Sequence, residues 1–270
     1  MTTEPESMRL VNPDPAPVPL DDGARAAIAA LAARQHGANT LLMQAITFVG
    51  GQVEDGLKLL PKGSRTQIEN AARSALRHSY DLAGRSRQGS MARIANSERG
   101  HKALATLSGA LGGIGGLPTA LAELPIATTV IFRAVQSVAE IHGEDARSEE
   151  TRLQCLQVFG AGGPGTGDDG IDTSFIGARL SLTGAALNKL LARIAPRFAT
   201  VIGQKLAGQA VPVLGAAAGA GTNYAFMDYY TQIAQVHFGL RALARTHGEE
   251  VVLSAFHEEL ARLRRPALRV

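Results

Sequence analysis

Apolar residues recur at spacings of three and four along most of the chain, and no stretch alternates strongly enough to predict a sheet. A first helix is predicted from Asp21 and Asp22, which suit an N-cap, through "ARAAIAALAARQ". Leu41, Leu42, Ile46, Val49, Val53, Leu57 and Leu60 then mark one apolar helix face, ended by Pro61 and Gly63. Ser64 suits the cap of the next helix, whose Ile68, Ala72, Ala75, Leu76 and Leu82 share a side, and the run from Gly84 to Ser90 breaks it. Pro118 and Pro125 fit the first turns of helices rather than their interiors, because proline supplies no backbone N–H. The helix after Pro125 is expected to reach His142 and stop at Gly143, and another to cover Ser148 to Phe159. Beyond the loop "GAGGPGTGDDGID", Asp172 suits a further cap, and Pro196 and Pro212 punctuate the next two helices. Thr222 is expected to start a helix that reaches His247, and a last helix spans Glu249 to Arg264. The predicted class is all-α: a single multi-helix domain over residues 21–265, with two Gly/Pro-interrupted apolar helical segments packed together.

Those two segments are the most unusual feature of the pattern. Residues 103–132 carry no charge except Glu123, and residues 206–240 carry none except Asp228. A shift of 105 positions superposes Glu123 on Asp228, His142 on His247 and Gly116 on Gly221, so a weak internal duplication is one reading. Small residues four apart (Gly109 with Gly113, Gly112 with Gly116, Gly215 with Gly219) allow close approach of helix backbones. Both segments are long enough on paper to cross a bilayer, yet Pro118 and Pro212 interrupt them and small residues dominate. Tightly packed core hairpins and membrane embedding both remain open at this level. A carboxylate in such a place either takes up a proton or finds a partner. One expectation pairs Glu123 and Asp228 crosswise with Arg241 and Arg133; the other has Glu123 cap a helix that starts at Pro125.

Composition narrows the possibilities. Apolar residues make up 45% and charged residues 19%, aromatics only 4%, and a 270-residue chain of this kind can bury a real core of Ala, Leu, Ile and Gly. The single Cys155 excludes an internal disulfide and any Cys-rich metal site, and fits a reducing compartment. Residues 1–20 are acidic and Pro-rich, without the basic and apolar regions of a secretory signal, and are expected to form a disordered leader; residues 266–270 form a tail. Charge is uneven: ten Lys/Arg against three acids from Lys58 to Lys102, and eight acids against two Arg from Glu140 to Asp172. Lys189, Arg193 and Arg197, at i, i+4 and i+8, form a candidate membrane-surface stripe, shortened to two if Pro196 ends the helix.

Known chemical motifs are absent or incomplete. Residues 160–165 match G-x-G-x-x-G in letters, but Pro164 and a glycine-rich loop follow where the phosphate-binding helix must begin. Asp168, Asp169 and Asp172 lack the spacing of a calcium loop. His237, His247 and His257 fall at intervals of ten, which turns successive members about 80° apart on a helix, so each suits a capping or surface role. No catalytic residue, no metal site and no cofactor is assigned on these grounds. Only Tyr80 lies in the basic 58–102 region, so the interleaved aromatics of nucleic-acid binders are missing and no nucleic-acid partner is expected.

Three blocks make the chain recognisable: "GLPTALAELPIATTVIFRAVQSVAEIHGED" (Gly116 to Asp145), "RLQCLQVF" (Arg152 to Phe159), and Arg197 to Leu243 with "GAAAGAGTNYAFMDYYTQIAQVHFG" at its centre. The chain resembles the bacterial EcsC-like proteins over about residues 35–260. The resemblance implies a bacterial protein of a family whose founding member is encoded beside subunits of an ABC exporter. It marks Glu123, Arg133, Asn223, Asp228 and His237 as positions matching the family's recurrent polar residues, and it assigns them no mechanism.

Two functions follow as expectations. One is a non-enzymatic helical protein at the cytoplasmic face of the inner membrane, peripheral or embedded, partnered by the membrane or by a membrane complex such as an ABC transporter. The other is a peptidase-like hydrolase with Glu123 or Asp228 as general base and His237 or His142 nearby, which requires these groups to reach a common point. Oligomeric state is not legible in the sequence.

Overall fold

The computed structural model describes residues 17–50, 63–85, 116–160, 184–209 and 215–264. These form seven α-helices and no strand: α1 (Asp22–Gly50), α2 (Ser64–Arg85), α3 (Gly116–Ile141), α4 (Glu149–Val158), α5 (Gly184–Gln209), α6 (Gly215–His247) and α7 (Glu249–Arg264). The all-helical class expected from the apolar periodicity is the class observed.

Helix α6 is the centre of the packing. It lies against α1, α3, α4, α5 and α7, while α2 packs on α3 and α5. The main core gathers Phe132, Val135 and Val138 of α3, Leu153 and Leu156 of α4, Leu191 and Phe198 of α5, and Tyr229, Tyr230, Ile233 and Phe238 of α6. Phe159 sits at its middle, 5.3 Å from the Phe198 ring centroid, edge to face, and 4.9 Å from that of Tyr230. A second core joins Ile28 and Ala32 of α1, Val236 and Leu240 of α6, and Val252, Phe256 and Leu260 of α7. Gly239 lets α1 come close, since a Cβ there would stand 2.9 Å from a Leu31 methyl.

Helix ends follow the expected chemistry. Asp21 Oδ1 accepts from the Ala24 N–H at 2.6 Å and caps α1, which then runs unbroken to Gly50 through what the sequence divides into two elements. Ser148 caps α4 through the Thr151 N–H, with Glu149 and Glu150 in the first turn where the helix dipole favours acids. The two "HGE" sites end helices differently. At Gly143 (φ +81°) the Glu144 N–H reaches Ala139 O and the Gly143 N–H reaches Glu140 O, a Schellman pair. At Gly248 (φ +86°) one bond to Ala244 O closes the helix, and α7 begins at the next residue.

Three boundaries differ from expectation. Pro125 lies inside α3 and Pro196 inside α5, rather than at helix starts or ends, and α6 begins at Gly215 rather than at Thr222. An interior proline costs about 3 kcal/mol in a lone helix. Here burial on both sides offsets it: Leu124, Ala127 and Thr128 are buried around Pro125, and Ala195 and Phe198 around Pro196. Each proline carbonyl also accepts a hydroxyl one turn on, from Thr129 at 2.7 Å and Thr200 at 3.1 Å. Because α3 is already helical from Gly116, Glu123 does not cap a helix at Pro125.

Residues 17–20 also depart from the expected disordered leader. The Val18 N–H donates to Thr246 O at 3.0 Å, His247 Nδ1 bonds Val18 O at 2.9 Å, and Leu20 packs on the second core. The rest of the leader, the tail, the loop after Gly160 with Asp168, Asp169 and Asp172, Pro212, and the glycines at 109–113 lie outside the described residues.

Candidate functional site

Polar side chains from α6, α4 and the α3–α4 connection meet along a seam that runs from the surface into the core. Arg241 Nε donates to Glu144 Oε1 at 2.9 Å, and its Nη2 to Glu150 Oε1. Arg245, one turn further along α6, donates to the same Glu144 oxygen and, through Nη2, to His142 O at 2.8 Å. His142 Nε2 and Gln235 Oε1 lie 2.9 Å apart. Deeper in, His237 Nε2 and Gln154 Oε1 are also 2.9 Å apart, with both side chains buried. Burial, helped by the charge of Arg241, lowers the His237 pKa to about 3, so the ring is neutral near pH 7.

A second polar cluster joins α2 to α4. Tyr80 donates to Glu149 Oε1 at 3.2 Å, and the Arg152 guanidinium carbon lies 4.6 Å from the Tyr80 ring centroid. Burial pushes the Tyr80 hydroxyl up to about 12, against the lowering pull of Arg152 and with Glu149 adding to the rise. Tyr230 differs: its hydroxyl is fully buried, has no hydrogen-bond partner among the described residues, and is pushed well above the usual tyrosine value by desolvation.

The residues singled out from sequence fall in separate places. His237 and Arg241 share the α6–α4 seam, which places His237 in the core rather than at a cap or on the surface. Arg241 pairs with Glu144 and Glu150, two carboxylates not named from the sequence, while the side chain of Glu123, its expected crosswise partner, lies outside the described residues. Arg133 is half-buried on α3. Asp228 is half-buried on α6, 3.5 Å from Gln232 Nε2, and Gln232 in turn accepts from Arg34 of α1. Glu123 lies in α3 and Asn223 in α6, with their side chains outside the described residues. Lys189 and Arg193 are exposed on α5, and Arg197, which the helix continues to include, turns inward to donate to Gly160 O at 3.2 Å.

This arrangement locks helices together and brings no acid–base pair to a common point among the described residues. Asp228 and His237 are nine residues apart on one helix, about 13.5 Å along the axis and about half a turn around it. Asp228 accordingly meets Gln232 of its own helix, which in turn bonds Arg34 of α1, whereas His237 faces α4. The described hydroxyls of Ser79, Thr128, Thr129, Ser137 and Thr231 bond carbonyls of their own helices. Among the described residues no group of three or more His, Cys, Asp or Glu could hold a metal ion. Glu144, Glu150, Gln154 and Arg245 were not singled out from sequence. The signal was present in the acid-rich run from Glu140 facing two arginines one helical turn apart.

Fold and seam together define an all-helical protein whose polar seam ties α3, α4 and α6 together. The chain belongs to the EcsC protein family, whose model matches residues 35–243. No curated protein and no solved structure matches it. The match starts within α1 and stops near the end of α6, so Ile28, Ala32 and all of α7, most of the second core, lie outside it.

Proposed function

We propose that this EcsC-family protein is non-enzymatic and works at the cytoplasmic face of the inner membrane, lying on the bilayer or on a membrane complex such as an ABC transporter. The observation that carries this reading is the outer stripe of α3. Residues Leu124–Ile141 form a helical stretch long and apolar enough to cross a membrane, and half of it is buried inside the protein. The other half includes Ile126, 61% exposed, half-buried Val130, and Ile141, 73% exposed, with Arg133, Ser137 and Glu140 between. An apolar stripe interrupted by charges suits a helix at the headgroup boundary rather than one crossing the bilayer. The mutual hydrogen bonding of His237 with Gln154 and of Arg241 with Glu144 favours a scaffolding role over catalysis.

A photo-crosslinking side chain placed at Ile126 in cells tests this. Adducts with lipid or with integral membrane proteins are expected. Adducts confined to soluble proteins contradict it.

A further inference from the structure

Helices α2 and α5 pack side by side, and Arg77 Nη1 donates to Asn188 Oδ1 at 2.8 Å across their junction. Around that bond the exposed side chains are strongly basic. Arg73 and Arg77 stand one turn apart on α2, and Lys189 and Arg193 one turn apart on α5. Helix α5 has no carboxylate anywhere in its length. Helix α2 has two, half-buried Glu69 and exposed Asp81, one turn before Arg73 and one turn after Arg77, and Arg65 extends the basic side further. Positive charge therefore exceeds negative across the junction.

We infer that this α2–α5 face is the docking surface for a bilayer that carries anionic phospholipid headgroups. The inference rests on the membrane reading of α3 and names the lipid class and the surface. Three observations select this occupant. The charges are mounted on long exposed side chains, which suits an array of headgroup phosphates. Neither helix presents an exposed aromatic among the described residues, since Tyr80 and Phe198 are both buried, so the stacking platform of a nucleic-acid binder is missing. Helix α2 also packs directly on α3, with Ser79 and Thr129 hydroxyls 3.2 Å apart, so the helix that carries Arg73 and Arg77 neighbours the helix assigned to the membrane. Arg197 takes no part, because its guanidinium is committed to Gly160 O.

The test is co-sedimentation of the full-length protein with vesicles of phosphatidylcholine alone and of phosphatidylcholine mixed with phosphatidylglycerol, at low and high salt. Near an anionic surface each basic residue contributes about fivefold in affinity, so R73Q/K189Q/R193Q should bind the mixed vesicles about a hundredfold more weakly. A variant with the same charge change at exposed arginines elsewhere, R25Q/R147Q/R264Q, should bind nearly as the parent does, and circular dichroism verifies that both fold. Equal weakening of the two variants, an unchanged first variant, equal binding to the neutral vesicles, or tighter binding to short duplex DNA overturns the inference. If the parent protein binds vesicles in any of the first three cases, the membrane reading stands without this face. If the parent binds neither vesicle, both are overturned.

Discussion

Arg241 and Glu144 are 97 residues apart in sequence and 2.9 Å apart in the fold, and the bond between them fastens the end of α3 to α6. Replacing Arg241 with Met strands Glu150 and leaves Glu144 with Arg245 alone. The pair is neither fully buried nor fully exposed, so the expected loss is about 2 kcal/mol, between the limits for the two cases. For a domain of this size that lowers Tm by roughly 4–8 °C. Glu150→Gln, at a 40% exposed side chain, should cost less than about 1 kcal/mol. Thermal melts of the two variants check the ranking, and equal losses would contradict it.

His237 makes stability depend on pH in a definite direction. Its pKa is lowered from 6.5 to about 3, so the unfolded chain binds a proton that the folded one refuses. The contribution is complete above pH 6.5 and is lost as pH falls toward 3, at roughly 1.4 kcal/mol per pH unit. His237→Gln keeps a donor toward Gln154 and cannot titrate. Urea unfolding at stepped pH between 7 and 5 should show a shallower slope for the variant than for the parent, and identical slopes would remove His237 as the cause.

Tyr230→Phe is expected to raise stability. The hydroxyl is buried without a partner among the described residues, while the ring is held by Phe159 at 4.9 Å and Tyr229 at 5.1 Å, contacts that Phe retains. Deleting an unsatisfied buried hydroxyl should gain about 1 kcal/mol. A loss on denaturant titration would mean that the hydroxyl has a partner in solution.

Gly239 measures how closely α1 approaches α6. Gly239→Ala must push aside the methyl end of Leu31, a flexible side chain, and should cost no more than about 1 kcal/mol. Gly239→Val has no comparable escape and should cost about 2–3 kcal/mol. Hydrogen exchange should accelerate first in α1. Equal, small effects of both would show that the helices can separate freely.

The helices were legible in the sequence because their apolar spacing and their caps agree, as at Asp21, Ser148 and the α7 start at Glu249. Pro125 and Pro196 were misread because a local rule against interior proline was overridden by packing that sequence does not display, although a Thr four residues after each was a visible companion. His237 was placed at a cap or on the surface because its spacing from His247 and His257 carries no information about burial. Its partner Gln154 lies on another helix, 83 residues away. The seam as a whole was half legible: Arg241 was singled out as an ion-pair partner, but Glu144 and Glu150 in the acid-rich connection were not.

The account turns on membrane association, and fractionation of cells producing the full-length protein at native level tests that most directly. Lysis in low salt followed by flotation through a density gradient should carry the protein up with the inner membrane, and high salt should release it because basic faces hold it there. Quantitative recovery in the low-salt soluble fraction would contradict the account.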